Sequence, residues 1–146
     1  MAKSTASAHW TGGIADGSGT VSTTSPALDA TTLTWKARNG EEAGTTPEEL
    51  LASGHAGCYA MALSGALGGA GHAPTSLDVT ATYEFGPIEG GFAIKGATLT
   101  VSGDVPGIDE AEFLAIAEGA KDGCPVSKAI AGNVPISLEA KLTANA

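Results

Sequence analysis

Basic residues are scarce in this sequence, and their scarcity excludes one large class of function. The chain of 146 residues has 7 lysines and arginines against 16 aspartates and glutamates, for a formal net charge of -9. Its single arginine is Arg38, and no two basic residues are adjacent. Because binding to nucleic acid depends on clustered lysines and arginines that neutralise phosphates, we expect no nucleic-acid partner.

Cysteine is equally rare, and long apolar runs are lacking. The two cysteines, Cys58 and Cys124, are too few for the disulfide framework of a small secreted protein. The first residues lack the apolar stretch of a signal peptide, and no run approaches the roughly 20 apolar residues that cross a bilayer. We therefore expect a cytoplasmic protein with reduced thiols and no membrane partner.

Large apolar side chains are also few. The sequence has 21 glycines but only two tryptophans, two tyrosines and three phenylalanines. A chain of this length predicts a single domain over residues 1–146. Because so few bulky side chains make a thin core, we expect a second subunit to complete it.

Turn residues divide the first third of the chain into short strands. Gly12-Gly13 and Gly17-Ser18-Gly19 separate predicted strands around residues 8–10 and 20–23. A further strand is predicted over residues 31–38, so that the single arginine would end a strand.

A long helix of small residues is predicted next. Thr46 is a capping residue, Pro47 suits the first helical position, and Glu49 stands three residues past the cap. The helix should continue to about Gly69. Its glycines cost about 0.8 to 1.0 kcal/mol each relative to alanine. They indicate either the close approach of another backbone or the general enrichment of glycine in this chain.

The second half of the chain alternates between strands and helices. Apolar alternation predicts one strand over residues 76–85 and another from Phe92 to Val101, with a bulge at Gly96. The remaining predicted elements are a helix from Glu110 to about Lys121 capped by Asp109, a short helix over residues 125–131, and a strand over residues 134–142. This order of elements predicts an α+β fold rather than a parallel α/β sheet.

The two cysteines are the residues on which chemistry would depend. Cys58 lies about three turns inside the long helix, beyond the reach of the helix dipole, and burial would raise its thiol pKa. A reactive Cys58 therefore needs a nearby cation. Arg38 is the candidate, with Glu48 as the carboxylate that orients its guanidinium.

Cys124 has a different local setting. It precedes Pro125 at a predicted helix start, where free backbone N–H groups can stabilise a thiolate. Two thiols with different activation suggest that one attacks a substrate and the other resolves the product as a disulfide.

Other interpretations stay open from the residues alone. Both cysteines could be core residues of a non-catalytic dimeric protein that binds a small ligand or serves in stress, because a mid-helix cysteine is most often a packed side chain. A cysteine hydrolase is also conceivable, although no family signature surrounds Cys58. A metal site could be built from His55, Cys58, Cys124 and either His72 or His9, but it lacks a second close pair of ligands.

Motifs along nearly the whole chain form a recognisable set. They are Ala8-His9-Trp10, Gly19-Thr20-Val21-Ser22-Thr23, Thr46-Pro47-Glu48-Glu49-Leu50-Leu51, His55-Ala56-Gly57-Cys58, Gly71-His72-Ala73-Pro74, Val105-Pro106-Gly107-Ile108-Asp109 and Gly123-Cys124-Pro125-Val126-Ser127. With these motifs the chain resembles the osmotically inducible protein C (OsmC) family, more closely than the related organic hydroperoxide resistance (Ohr) proteins.

The resemblance implies both a fold and an activity. The fold is an OsmC-like α+β fold, with antiparallel β-sheets packed around long central helices in an intertwined homodimer. The activity is that of a thiol-dependent peroxidase, which reduces organic hydroperoxides and, less efficiently, hydrogen peroxide, without a cofactor or metal. Matched by position, Cys58 is the peroxidatic cysteine and Cys124 the resolving cysteine, and Arg38 and Glu48 are the polar pair that activates Cys58. The implied partners are a hydroperoxide and a dithiol reductant of the lipoyl type.

An organic hydroperoxide would also need an apolar surface for its alkyl tail. The candidates are Leu51, Tyr59, Met61 and Phe85. Each is explained equally well as a core residue, and we expect Leu51 to lie in the core.

Overall fold

The first fifty residues form a unit of their own in the computed structural model, which describes residues 1–143. Its strands are β1 (Ala6–Thr11), β2 (Ser18–Thr23) and β3 (Thr31–Leu33), paired antiparallel in that order. Gly19 is required where β1 and β2 meet, because a Cβ there would lie 2.6 Å from the ring of Trp10. The glycine turns thus produce the predicted short strands.

The predicted strand over residues 31–38 is wrong beyond Leu33. Thr34 instead caps a short helix, α1 (Trp35–Arg38), and its hydroxyl accepts a hydrogen bond from the N–H of Ala37 at 3.0 Å. A capping threonine offers the backbone a helical turn in place of strand pairing. Arg38 therefore ends a helical turn rather than a strand.

The long helix α2 (Pro47–Gly69) has the predicted ends. At its start the Thr46 hydroxyl accepts a hydrogen bond from the N–H of Glu49 at 2.9 Å, as the capping pattern predicts. At its end Gly71 adopts a φ of 87°, which favours glycine, and the N–H of His72 donates to the carbonyl of Leu67 at 2.8 Å. Local capping chemistry therefore sets both boundaries.

One face of α2 supplies the core of the second unit, which begins at Leu51. Four fully buried side chains recur along it at every fourth residue: His55, Tyr59, Leu63 and Leu67. The buried side chains clustered with this face are Leu99, Val101, Val105, Ile108, Phe113, Ala117, Ala120 and Cys124. Cys124 is thus a member of the same core as the helix that carries Cys58.

The glycines of α2 lie on its open faces. A Cβ built on Gly54, Gly57 or Gly65 would meet nothing within 4 Å outside the helix itself. Within residues 1–143, therefore, no other backbone approaches these three positions closely.

The second sheet contains β4 (Ser76–Ile88), β5 (Gly91–Asp104) and β6 (Ile136–Leu142) in that order. β4 and β5 pair antiparallel, and the predicted bulge near Gly96 is confirmed: Glu84 pairs with Gly96 and Phe85 with Ile94.

The prediction that the sheets are antiparallel is wrong for the last strand, because β6 runs parallel to β5. Two helices, α3 (Glu110–Gly123) and α4 (Pro125–Ile130), connect these strands. A helical crossover of this length returns the chain to the end of the sheet at which β5 began, and a parallel pair follows. None of the helices in the described part of the chain combines the length and apolar character needed to span a membrane. The architecture is thus a mixed α+β fold with two small sheets.

Candidate active site

Helices α2 and α4 bring the two cysteines together in the second unit. The sulfur atoms of Cys58 and Cys124, 66 residues apart in sequence, lie 3.0 Å from each other. Both are free thiols; Cys124 is buried, whereas Cys58 is partly exposed. The pair can therefore exchange a proton, and the two sulfurs lie close enough to form a disulfide after a small adjustment.

The position of Cys124 favours its thiolate. Cys124 is the N-cap residue of α4, with Pro125 at the start of the helix. Burial acts to raise the pKa of Cys124, but the hydrogen bond with Cys58 and the polar groups at the helix start, which are the backbone N–H groups of Ser127 and Val126 and the Ser127 hydroxyl, outweigh it and lower that pKa. The expected stabilisation by a helix start is therefore confirmed in direction.

The position of Cys58 disfavours its thiolate. Burial raises the pKa of Cys58, and its hydrogen bond with Cys124 adds to the rise, while the N–H of Val126 acts against it. Cys58 lies too far from either end of α2 to feel the helix dipole. The surroundings described for the pair thus make Cys124 the more acidic thiol.

A buried polar chain adjoins the cysteines, and sequence reasoning missed it. Nδ1 of His55 lies 2.7 Å from the hydroxyl of Tyr83, and Nε2 of His55 lies 2.9 Å from the hydroxyl of Ser127. Burial lowers the pKa of His55, so that its imidazole is neutral at pH 7. One signal was available in the sequence: His55 precedes Cys58 by three residues, and Ser127 follows Cys124 by three.

The hydrogen bonds of His55 bear on the alternative of a metal site. In residues 1–143, no three histidine, cysteine, aspartate or glutamate side chains are grouped so that they could hold a metal ion. Both ring nitrogens of His55 are instead engaged by hydroxyl groups. A metal ligand would need one of those nitrogens free.

The first unit contains the other two predicted site residues. The guanidinium of Arg38 donates to the carboxylate of Glu48 from Nη2 at 2.6 Å and from Nε at 3.1 Å. Glu48 is only 5% exposed, whereas Arg38 is partly exposed. Glu49 is engaged elsewhere, because its carboxylate accepts a hydrogen bond from the Thr45 hydroxyl. The contact through which Glu48 would orient the guanidinium is therefore present.

The apolar candidates for an alkyl-binding surface differ in burial. Tyr59 is a core residue whose hydroxyl donates to the carbonyl of Ala117 at 3.0 Å. Met61 is 72% exposed and Leu51 is 47% exposed, so the expectation that Leu51 lies in the core is wrong. A spacing of four residues advances about 40° around a helix, which places Leu51 at the edge of the buried face that begins with His55.

Phe85 is the remaining candidate for that surface. Its ring stacks on the ring of Phe92 across the β4–β5 hairpin, with the ring centroids 5.5 Å apart. Phe92 is 53% exposed, so this aromatic pair reaches the surface of the second unit.

Comparisons with known proteins agree on one family. Residues 39–139 match the family described as OsmC-like protein. The chain is 43% identical over 134 residues to Peroxiredoxin OsmC of Escherichia coli (strain K12), covering 92% of this chain and 94% of that protein. It is 34% identical over 114 residues to an organic hydroperoxide resistance protein of Xanthomonas axonopodis pv. citri, covering 77% and 78%.

Solved structures agree with the sequence comparisons. The crystal structure of the organic hydroperoxide resistance protein OhrB of Bacillus subtilis is similar with a TM-score of 0.74 at 30% identity, covering 94% of this chain and 98% of that one. An OsmC structure from Legionella pneumophila has a TM-score of 0.75 at 28% identity, covering 97% of this chain and 98% of that one.

Proposed function

Because the chain belongs to the OsmC-like protein family, we propose that it is a thiol-dependent peroxidase that reduces organic hydroperoxides to alcohols. The observation that carries the proposal is the pair of free thiols whose sulfurs lie 3.0 Å apart. Relatives named peroxiredoxin and organic hydroperoxide resistance protein support the same chemistry. The surroundings of the two cysteines then suggest how the work is divided between them.

In the first step Cys58 is the peroxidatic cysteine. Its thiolate attacks the OH-bearing oxygen of the hydroperoxide, a sulfur–oxygen bond forms, and the oxygen–oxygen bond breaks. The departing alkoxide takes up a proton and leaves as the alcohol, and Cys58 becomes a sulfenic acid. The partial exposure of Cys58, against the burial of Cys124, supports this assignment, because a substrate must reach the sulfur it oxidises.

The first step requires that Cys58 be anionic despite its burial. A nearby positive charge lowers the pKa of an acid by about 1 to 3 units and can offset desolvation. We assign this role to Arg38, with Glu48 orienting its guanidinium. The assignment is supported by two facts: Arg38 is the only arginine of the chain, and its contact with Glu48 is bidentate.

In the second step Cys124 resolves the sulfenic acid. Its sulfur bonds to the sulfur of Cys58, the sulfur–oxygen bond breaks, and water leaves. An external dithiol of the lipoyl type then reduces the disulfide through a mixed disulfide. We further propose that the protein works as an intertwined homodimer in the cytoplasm, as the family resemblance implies.

The decisive experiment follows the thiols of the purified, fully reduced protein. One equivalent of cumene hydroperoxide should remove two hydrogens from the mass of the protein and link the peptides that contain Cys58 and Cys124. Dihydrolipoamide should then sustain turnover better than glutathione, and cumene hydroperoxide better than hydrogen peroxide. Thiols that ignore the hydroperoxide and titrate like ordinary buried cysteines would indicate the non-catalytic binding protein instead.

A further inference from the structure

The two steps above assign no role to the hydrogen-bonded chain of Tyr83, His55 and Ser127 beside Cys124. His55 is fully buried and Ser127 is 3% exposed, yet both are bonded to polar partners. A buried polar network of this kind is costly when incomplete and rigid when every member is satisfied. Its position next to a thiol suggests that the rigidity serves that thiol.

The hydrogen-bonded side chains of Tyr83, His55 and Ser127 reach Cys124 through the first turn of α4. Cys124 is the N-cap of that helix and Ser127 is the third residue after the cap. In this relation the side chain of the third residue can reach back to the capping residue. Ser127 is buried on this first turn, and its hydroxyl is one of the groups that lower the pKa of Cys124.

When Cys124 is anionic, the hydrogen bonds that link Tyr83, His55 and Ser127 can have only one order of donors and acceptors. The Ser127 hydroxyl has a single proton, and if that proton is donated to the sulfur, the oxygen must accept one from Nε2 of His55. Nδ1 of the neutral imidazole is then an acceptor, and the hydroxyl of Tyr83 donates to it. Each bond polarises the next, so the donors reinforce one another toward the sulfur.

We propose that, in the peroxidase reaction on which this inference rests, Ser127 and His55 are positioning residues that hold the Cys124 sulfur as the attacking thiolate. Tyr83 orients the imidazole from the other side. This relay of hydrogen bonds through Tyr83, His55 and Ser127 acts on the resolving step and not on the attack of Cys58 on the hydroperoxide.

The resolving step balances without an external reagent. The Cys124 sulfur bonds to the sulfur of the Cys58 sulfenic acid, and the sulfur–oxygen bond breaks. Cys124 is oxidised and Cys58 is reduced by the same electron pair. The hydroxide that departs takes up the proton which Cys124 lost, and it leaves as water.

Several other titratable groups surround Cys124. The sulfur of Cys58 lies 3.0 Å from that of Cys124. Burial raises the pKa of both Tyr59 on α2 and Tyr83 on β4, and the negative charge of Cys124 adds to the rise. On the outer side, Ser127 lines a cleft of about 390 Å³ together with Lys121 and Asp122 of α3. Each variant below replaces one residue and keeps the other groups. A difference in the pH dependence of resolution between variants therefore reports the contribution of the residue that was replaced.

A coloured disulfide probe, dithiobisnitrobenzoate, separates the two thiols without any peroxide. The partly exposed Cys58 displaces one thionitrobenzoate and is left as a mixed disulfide. Cys124 then displaces the second thionitrobenzoate as the protein disulfide forms. The rate of this second release, measured by stopped flow between pH 5 and 10, is the resolving rate, and the first release is the internal reference.

Ser127→Ala should move the midpoint of the resolving rate upward by about one pH unit and slow resolution at pH 6 about threefold to tenfold. The rate at high pH should be undiminished, since Cys124 is then ionised in any case. His55→Leu should raise the midpoint by a smaller amount. His55→Gln should show less of this rise than His55→Leu, because the glutamine amide N–H can replace Nε2–H. Tyr83→Phe should shift the midpoint least. Ser137→Ala, which removes an exposed hydroxyl bonded to Thr98, is the matched control and should shift nothing.

Two outcomes would overturn the relay. One is an unchanged midpoint in both Ser127→Ala and His55→Leu; the other is an equal loss of rate at every pH, which would indicate mere displacement of Cys124. Failure of the peroxidase proposal would give a different result. The wild-type thiols would not react with cumene hydroperoxide, while the variants would still shift the midpoint of the resolving rate measured with the disulfide probe.

Discussion

The middle of α2 and the start of α4 each contain one cysteine, and the two positions have opposite effects on the pKa of the thiol. Around Cys58, burial and the neighbouring thiol raise the pKa, yet the sulfur is partly exposed. Around Cys124, hydrogen bonds lower the pKa, yet the sulfur is buried. Access and acidity are therefore divided between two sulfurs that lie 3.0 Å apart. The more accessible thiol is the less acidic of the two, and the more acidic thiol is the buried one.

Replacing each cysteine should produce the largest difference between the two regions. We expect Cys58→Ser to abolish reduction of cumene hydroperoxide, because no thiol that the substrate can reach remains. Cys124→Ser should consume one equivalent and then stall, because the sulfenic acid has no partner. Rapid mixing at one equivalent of hydroperoxide distinguishes them, and equal losses in both variants at this first turnover would break the division of labour.

Removal of the guanidinium should have the next largest effect. Without its counter-charge Cys58 keeps a raised pKa, so the first step in Arg38→Ala should slow at pH 7 by about tenfold for each pKa unit of the 1 to 3 that an opposite charge supplies. The pH optimum should move upward accordingly.

Arg38→Lys keeps the charge without the bidentate contact to Glu48 and is the matched control. It should retain more of the rate than Arg38→Ala. A pH–rate profile of Arg38→Ala that coincides with the wild type would remove Arg38 from the site.

Alkylation should rank the two thiols by access rather than by acidity. With limiting iodoacetamide at pH 8, we expect Cys58 to be modified roughly tenfold faster than Cys124, because a buried thiol is protected even when its pKa is lowered. Peptide mass mapping measures the ratio. Modification of Cys124 first would mean that the core opens at the start of α4.

Acid stability should show the smallest effect, and it concerns His55. Burial lowers the pKa of His55 below its ordinary value of 6.5, so below pH 6.5 the unfolded chain binds a proton that the folded chain does not. The wild type should therefore lose up to about 1.4 kcal/mol of stability per pH unit below that point, until the lowered pKa of the folded state is reached. His55→Gln lacks this contribution.

Urea unfolding of the two proteins at pH 7 and pH 5 gives the comparison. The stability difference between wild type and His55→Gln should shrink or reverse at pH 5. Parallel losses in the two proteins would show that His55 is not neutral in the folded state.

Local chemistry accounts for the elements that the sequence predicted correctly. Thr46 and Pro47 start α2, Asp109 starts α3 by accepting a hydrogen bond from the N–H of Glu112, and alternation marks the strands on either side of the bulge at Gly96. Each depends on residues within a few positions of one another. The family resemblance, carried by motifs along the chain, is confirmed by the comparisons.

Two wrong predictions have different causes. Competing local signals explain the strand predicted over residues 31–38, and long-range pairing explains the direction of β6. Residues 31–38 read as one strand because threonine suits both a strand and a helix cap, and the capping role of Thr34 prevails. The direction of β6 depends on the path of two helices across the sheet, which no alternation pattern contains.

By itself the sequence determined where α2, α3, α4 and most strands lie, that a single arginine is available, and that one cysteine starts a helix while the other lies deep inside one. These are properties of neighbouring residues, governed by backbone hydrogen bonding and capping. Only the tertiary structure decided that the two sulfurs meet and that His55 joins Tyr83 to Ser127 beside them. Contacts between residues 28 and 72 positions apart arise from packing of the whole core, and sequence spacing carries no measure of it.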